Sequence, residues 1–361
     1  MSRKSLRWLP AAVVPALIAA AVVSVPLQAG AAVDLPDKTA AEVLRLIGES
    51  TEDSFSGTVE KTADLGLPTL PEGMDTVGPD ADAGLVGSAL DLLSSTQEAR
   101  VFVNGPLNVR VQVKDTLAER TAVTDGTDAW YYDSETQVAT HVAIPADASD
   151  ALRDELDDSA DLPTPAQVAD RILEELGPST DFAVGTDARV AGRTVYELVL
   201  TPKASGTLAE SISISVDSET GLPLQVSVDA AGQETAALEI GFTSIDFTAP
   251  ADDLFQFTPG PGVVVDEQEL PRAGGLGDHD AAPSVDHPAI VGEGWDAIVE
   301  VAAADVPAEL TGNLILEQLT TDVDGGRLFS TALVNVLLTD DGRVLAGSVP
   351  LDRLQAAAAA G

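Results

Sequence analysis

The stretch Thr121–Val142, TAVTDGTDAWYYDSETQVATHV, decides the fold. It reads as three short strands joined by two tight turns. Asp125-Gly126 marks the first turn and Asp133-Ser134-Glu135-Thr136 the second, polar clusters between apolar runs. Side chains alternate along a strand, so Trp130 and Tyr132 share one face of the middle strand and Tyr131 takes the other. Aromatic residues make up only 4% of the chain, so three adjacent ones in a single strand are informative. The expectation is a meander within a curved antiparallel sheet whose concave face is apolar.

The strands on either side extend this pattern. Before the meander, Leu107–Val113 alternates Leu107, Val109, Val111 and Val113 with Asn108, Arg110 and Gln112, a half-buried antiparallel strand. Phe55-Ser56-Gly57-Thr58-Val59 reads as a first strand, with a glycine that marks a bend or a close approach. After the meander, strands are expected at Val190–Thr201, Ser211–Asp217, Leu222–Asp229 and Ala237–Phe247, with the turn Ser218-Glu219-Thr220-Gly221 between the second and third. Short alternating strands with turn signals between them indicate a mainly β chain.

Two helices interrupt the strands. Thr39-Ala40-Ala41-Glu42 fits a capping box for Asp37–Glu49, whose apolar stripe is Val43, Leu44 and Ile47. Thr164-Pro165-Ala166-Gln167 fits another, with Val168, Ile172, Leu173 and Leu176 as the apolar face and Gly177-Pro178 as the stop. Ala63–Asp82 is a loop rich in Pro, Gly and Asp, and Leu85–Leu93 reads as a short helix after it. Asp147–Asp161 is acidic and expected to be exposed. Pro259–Pro288 reads as a linker. Beyond it a small tail unit is expected, with a helix at Trp295–Val301, strands at Asn313–Thr320, Leu328–Leu338 and Val344–Val349, and an end helix at Leu351–Ala360.

Composition limits the function. The 361 residues include 59 acidic and 19 basic ones, a formal charge of −40. That argues against nucleic acid and against an anionic membrane surface, both of which need a basic footprint. With no cysteine, the chain forms no disulfide, thiolate or Cys-zinc site. The histidines are His141, on a strand, and His279 and His287, in the linker. No Walker, G-x-S-x-G, H-E-x-x-H or dinucleotide-binding motif occurs in its required context, so neither a cofactor nor catalysis is expected.

Arg3, Lys4 and Arg7, the apolar run Leu9–Val25 and the small-residue site Ala29-Gly30-Ala31 read as a secretory signal, with an uncleaved anchor as the alternative. Either way the rest of the chain is expected outside the cytoplasmic membrane. The expected division is a signal at 1–31, a β domain at 32–266, a linker at 267–289 and an extension at 290–361.

The order of these elements carries a resemblance. A first helix is followed by F-S-G-T-V, D-G-x-x-x-W-Y-Y-D, V-D-S-E-T-G-L-P-L-Q-V-S-V-D, F-T-S-I-D-F and D-D-L-F-Q-F-T-P-G-P-G-V. Over Asp37–Asp266 this resembles the LolA lipoprotein carriers and their relatives RseB/MucB, which regulate sigma-E. The Ala/Asp/Val/Gly-rich composition further suggests an actinobacterial type. The resemblance implies an unclosed antiparallel β-barrel with a helical lid, in which Thr39–Glu49 and Thr164–Leu176 serve as lid elements. It implies a cavity for acyl chains, with Phe55, Val109, Val111, Trp130, Tyr132, Leu224, Val226 and Phe242 as ligand-contacting residues. Trp130 and Tyr132 equally suit an ordinary core. The implied partners are an acyl lipid or lipoprotein, with a membrane ABC transporter or an anti-sigma factor as protein partners. Three functions follow: a lipid or lipoprotein carrier, an RseB-like sensor whose tail holds its partner, and a structural envelope protein with a filled barrel.

The signal reading predicts a mature chain that begins at Ala32. Intact mass of the exported protein checks it, since retention of Met1–Ala31 would make the segment an anchor.

Overall fold

The computed structural model describes residues 35–67, 96–114, 118–145, 165–269, 289–304, 306 and 319–360. The expected signal, the expected helix at Leu85–Leu93, the acidic stretch Asp147–Asp161, most of the expected strand Asn313–Thr320, and His279 and His287 lie outside the described residues.

The first sheet contains β1 (Ser54–Ala63), β2 (Gln97–Asn104), β3 (Asn108–Lys114), β4 (Glu119–Asp125), β5 (Asp128–Asp133) and β6 (Val138–Ala143). It continues with β7 (Thr180–Val184), β8 (Ala188–Val190), β9 (Arg193–Pro202), β10 (Ala209–Asp217), β11 (Pro223–Ala230), β12 (Leu238–Asp246) and β13 (Val264–Glu269). Helix α1 (Ala40–Gly48) precedes β1 and α2 (Pro165–Leu176) precedes β7. The strand order is β13-β6-β5-β4-β3-β2-β1-β12-β11-β10-β9-β7, with β8 also beside β9. The end strands do not pair with each other, so the chain is mainly β with a large unclosed sheet. Its ladders are antiparallel except for β13, which joins β6 in parallel.

The meander is β4-β5-β6. Its turns form for a local reason: the Asp125 carboxylate accepts from the Thr127 and Asp128 amides, and the Asp133 carboxylate accepts from those of Glu135 and Thr136. These are Asx turns, in which a short acidic side chain stands in for a backbone acceptor.

Ladder partners share a face, so the register assigns every side chain. One row runs Tyr131, Ala122, Val111, Val101, Gly57 across β5 to β1. The opposite face carries Trp130, Val123, Arg110, Phe102 and Ser56. The first is the inner face. There α1 seats Val43 against Tyr196, Leu198 and Val216, and α2 packs against α1. The capping box of α1 is present, with Thr39 accepting from the Glu42 amide and Glu42 accepting from the Thr39 amide at 2.7 Å.

The outer face is crossed by the chain between β12 and β13. A 3-10 turn, Asp252–Phe255, lies over β3 and β4 and buries Phe255. Arg110 donates to the Leu254 carbonyl at 2.9 Å, and Asn104 donates to Asp252. The crossover then delivers β13 to the edge of β6. The linker expectation for Pro259–Pro288 is therefore corrected at its start: Val264–Glu269 is a strand, and it runs past Asp266, where the β domain was expected to end. Its parallel pairing follows from the crossover, because a tight hairpin can join only antiparallel neighbours.

The tail folds as a second sheet of β14 (Ala289–Val291), β15 (Ile298–Val301), β16 (Thr320–Val323), β17 (Gly326–Ser330), β18 (Asn335–Thr339) and β19 (Val344–Gly347), covered by helix α3 (Leu351–Ala360). Its order is β14-β15-β19-β18-β17-β16, and Ile298, Leu337, Leu345, Val349 and Leu354 form its core. Three expectations are corrected. Trp295–Val301 is not a helix but a 3-10 turn, Gly294–Asp296, and β15; its β-branched Ile298, Val299 and Val301 suit a strand. Leu328–Leu338 is two strands, because the Thr331 hydroxyl accepts from the Leu333 and Val334 amides and closes a turn. Val190–Thr201 is likewise divided, with Ala191 and Gly192 at φ 50° and 79° forming the two-residue turn of the β8–β9 hairpin.

Gly57 is the glycine of the F-S-G-T-V stretch, and it marks a close approach. A Cβ there would stand 2.4 Å from the Ser244 carbonyl oxygen and 2.8 Å from the Phe242 ring. Gly57→Ala should therefore destabilise the protein by about 1–3 kcal/mol, read as a lower urea midpoint at unchanged slope.

Candidate functional site

The eight residues expected to touch ligand fall on two faces. Phe55, Val109, Val111, Leu224, Val226 and Phe242 lie on the inner face, whereas Trp130 and Tyr132 lie on the outer face. The structure thus brings six together and separates two.

Four of the six are core. Phe55, Val111, Leu224 and Phe242 belong to one buried cluster with Val59, Val101 and Val113, and Val109 packs at its margin. Phe55 meets Phe242 edge-on at 5.9 Å. Val226 is half-buried on the neighbouring row, paired with Ile240 and Ile214.

The β8–β9 hairpin covers this cluster. Val190 and Val195 are members of it, and Ala188 and Ala191 pack against it. The hairpin is anchored by charge. Arg193 Nε donates to Asp217 at 2.6 Å, while its Nη2 reaches Asp217 at 2.8 Å and Glu219 at 2.9 Å. The guanidinium also lies 5.1 Å from the centre of the Phe247 ring. Burial works to raise the Asp217 pKa, but the hydrogen bonds from Arg193 and from the Thr220 and Glu219 amides outweigh it and hold the carboxyl below its usual range.

Beyond the cluster the inner face opens. Tyr131 is 47% exposed there, and its neighbour Ala122 is exposed as well. Tyr131 is the aromatic of β5 that the inner face presents, and it is not among the eight residues expected to touch ligand. Alternation separated it from Trp130 correctly. Which of the two faces Val111 depends on the β3-β4-β5 register, which alternation does not supply.

Trp130 and Tyr132 instead seat the crossover. The Phe257 ring lies 5.4 Å from Trp130 and 5.6 Å from Tyr132. His141 stacks on Trp130 with centroids 4.1 Å apart. The two imidazole nitrogens of His141 each meet a carboxylate, Nε2 at 2.7 Å from Asp128 and Nδ1 at 2.6 Å from Glu267. Among the described residues no group of three or more His, Asp or Glu side chains is placed to hold a metal ion.

No protein-family model matches the chain, and no curated protein matches it by sequence. It is similar to solved structures. One is the Pseudomonas aeruginosa MucA/MucB complex, at 17% identity and a TM-score of 0.40, covering 88% of this chain and 96% of that one. Another is a LolA superfamily protein from Nitrosomonas europaea, at 12% identity and a TM-score of 0.25, covering 61% of this chain and 99% of that one. A third is an outer membrane lipoprotein-sorting protein domain from Vibrio parahaemolyticus, at 10% identity and a TM-score of 0.21, covering 57% and 91%.

The Arg193–Asp217 pair makes the hairpin sensitive to substitution and to acid. Arg193→Met strands a buried carboxylate and should cost about 3 kcal/mol, the low end for a broken buried pair, because the Arg193 side chain is 27% exposed. Because the folded pKa of Asp217 is depressed, its contribution is present above the unfolded carboxyl value and is lost as pH falls through the lower folded value. Chemical denaturation across acidic pH checks both, and Asp217→Asn should flatten the acid limb.

Proposed function

We propose that this chain is an extracytoplasmic binding protein that shelters the acyl chain of a lipid or lipoprotein against the inner face of its unclosed sheet. One observation carries the reading. The apolar inner face is continuous from Leu224 and Phe242, through Val111 and Val109, to the exposed Tyr131. A methylene moved from water onto such a surface contributes about 0.8 kcal/mol, so a long acyl chain needs little more than a dry face and a cover. The hairpin and α1 supply cover at the deep end, and Tyr131 marks the open end. In this reading Phe55, Val111, Leu224 and Phe242 form the packed floor beneath the hairpin, and the acyl chain lies beside them along the half-buried Val109 and Val226, with Tyr131 at the mouth. Trp130 and Tyr132 are left to the crossover. The LolA-like order of motifs and the leading apolar segment support an envelope role.

A second reading is an RseB-like sensor that holds a membrane anti-sigma factor. The six-stranded second sheet favours it, since a basic carrier needs no such unit. The two readings share the acyl site and differ in the partner.

Protein exported by an actinobacterial host should yield acyl lipid on organic extraction, near one per chain, and should bind a fluorescent fatty-acyl probe saturably. Tyr131→Ala should weaken that binding about tenfold, a change of about 1.4 kcal/mol, with little loss of stability because the side chain is exposed. In a Trp8→Phe, Trp295→Phe background, a brominated acyl ligand should bind without quenching Trp130. A clean extract together with no probe uptake would leave the filled, ligand-free structure as the answer.

A further inference from the structure

Strand β13 sits at the sheet edge, and much of its own surface is in water: Val264 is 62% exposed and Val265 39%. Six paired positions, from Val264↔Val138 to Glu269↔Ala143, tie it to β6. It also carries three carboxylates, on Asp266, Glu267 and Glu269, in a chain of net charge −40. What draws this acidic strand to the meander is on β6.

His141 lies between two acceptors. An ionised carboxylate offers only lone pairs, and a neutral imidazole has a single N–H, so it could donate to one of them and would turn a lone pair towards the other. Only the imidazolium donates to both. Its stack on Trp130 favours the same form, because a cation is attracted to an indole face. The surroundings supply little competing charge. From β5 the facing groups are Asp128 and Trp130, and from β13 they are Glu267 and, one pair further on, Glu269. The same row continues to the apolar Val123 on β4 and to Arg110 on β3, which donates to the Leu254 carbonyl. The crossover presents Phe257 here and carries Asp252 and Asp253 further back.

We infer that His141 is a charge-dependent clip: protonated, it fastens Glu267 of β13 to Asp128 of β5, and on losing its proton it loosens β13 from β6. The device is independent of what the inner face binds.

The direction of the titration agrees. The hydrogen bond to Asp128 raises the His141 pKa, burial lowers it, and Glu267 raises it again, with a net rise above the ordinary histidine value. A raised folded pKa means that the clip's contribution is complete below the unfolded value and is lost as pH rises through the higher folded one. Release therefore belongs to the alkaline side of the ordinary histidine value.

The test uses the full chain carrying Trp8→Phe and Trp295→Phe, so that Trp130 is the reporter. Trp130 emission and the hydrogen-exchange protection factors of 264–269 are followed from pH 6 to 9. As pH rises, emission should increase, since a stacked imidazolium quenches indole, and protection should fall at the same midpoint. The fall should be about tenfold for each unit by which the folded pKa exceeds the unfolded one, while β9 and β10 stay protected. Glu267→Gln should lower the midpoint, and His141→Gln should remove the pH dependence and leave 264–269 poorly protected throughout. Protection of 264–269 that is flat with pH in the reporter chain, or pH-dependent in the same way after His141→Gln, overturns the clip. If His141→Gln does not fold, the exposed Glu267 carries the test, and a midpoint unmoved by Glu267→Gln overturns it.

Discussion

A sheet that does not close has two broad faces to satisfy, and in this protein the same chain covers part of each. Alternation fixes the contents of each face and the ladders fix which strands contribute. A slip of one residue would exchange the apolar set for the polar one. The covers are local pieces of chain. On the inner face they are α1 and the β8–β9 hairpin, and on the outer face the crossover with Phe255 and Phe257. The sheet organises the molecule, but it is stable only because these covers arrive in register.

Much of this was legible in the residues. The meander, the capping box at Thr39 and Glu42, the close approach at Gly57 and the alternation of Val109, Val111 and Val113 are local signals, and each produced the expected local structure. What was not legible is non-local. The face shared by Val111 and Tyr131 depends on two successive ladders. The turns at Ala191-Gly192 and at Thr331 were hidden inside long apolar runs, because neither has the dense Gly/Pro/Asn/Asp punctuation that marks a turn. Strand β13 reads as acidic linker because its partner is a strand more than a hundred residues earlier, and its apolar content is only Val264 and Val265.

The charge imbalance takes on a different meaning in the folded chain. Among the described residues, three arginines sit at structural junctions. Arg193 joins the hairpin to the β10–β11 turn, and Arg110 holds the crossover. Arg343 meets Glu300 and Asp341 and donates to the Ala358 carbonyl at the end of α3, so one side chain ties two strands to a helix. An acidic excess favours solubility in general, and these three arginines act as fasteners.

The second sheet touches the first at widely separated strands. Ala332 donates to the Leu65 carbonyl just beyond β1, Leu208 before β10 donates to the Ser348 carbonyl, and Trp295 donates to Thr180 at the start of β7. In the strand order these points run from the middle of the sheet to its end. A body fastened at three such points is a strut. Flattening or curling the half of the sheet between β1 and β7 would strain those attachments or carry the second sheet with it. The width of the inner face is therefore tied to the position of the second sheet through those three hydrogen bonds.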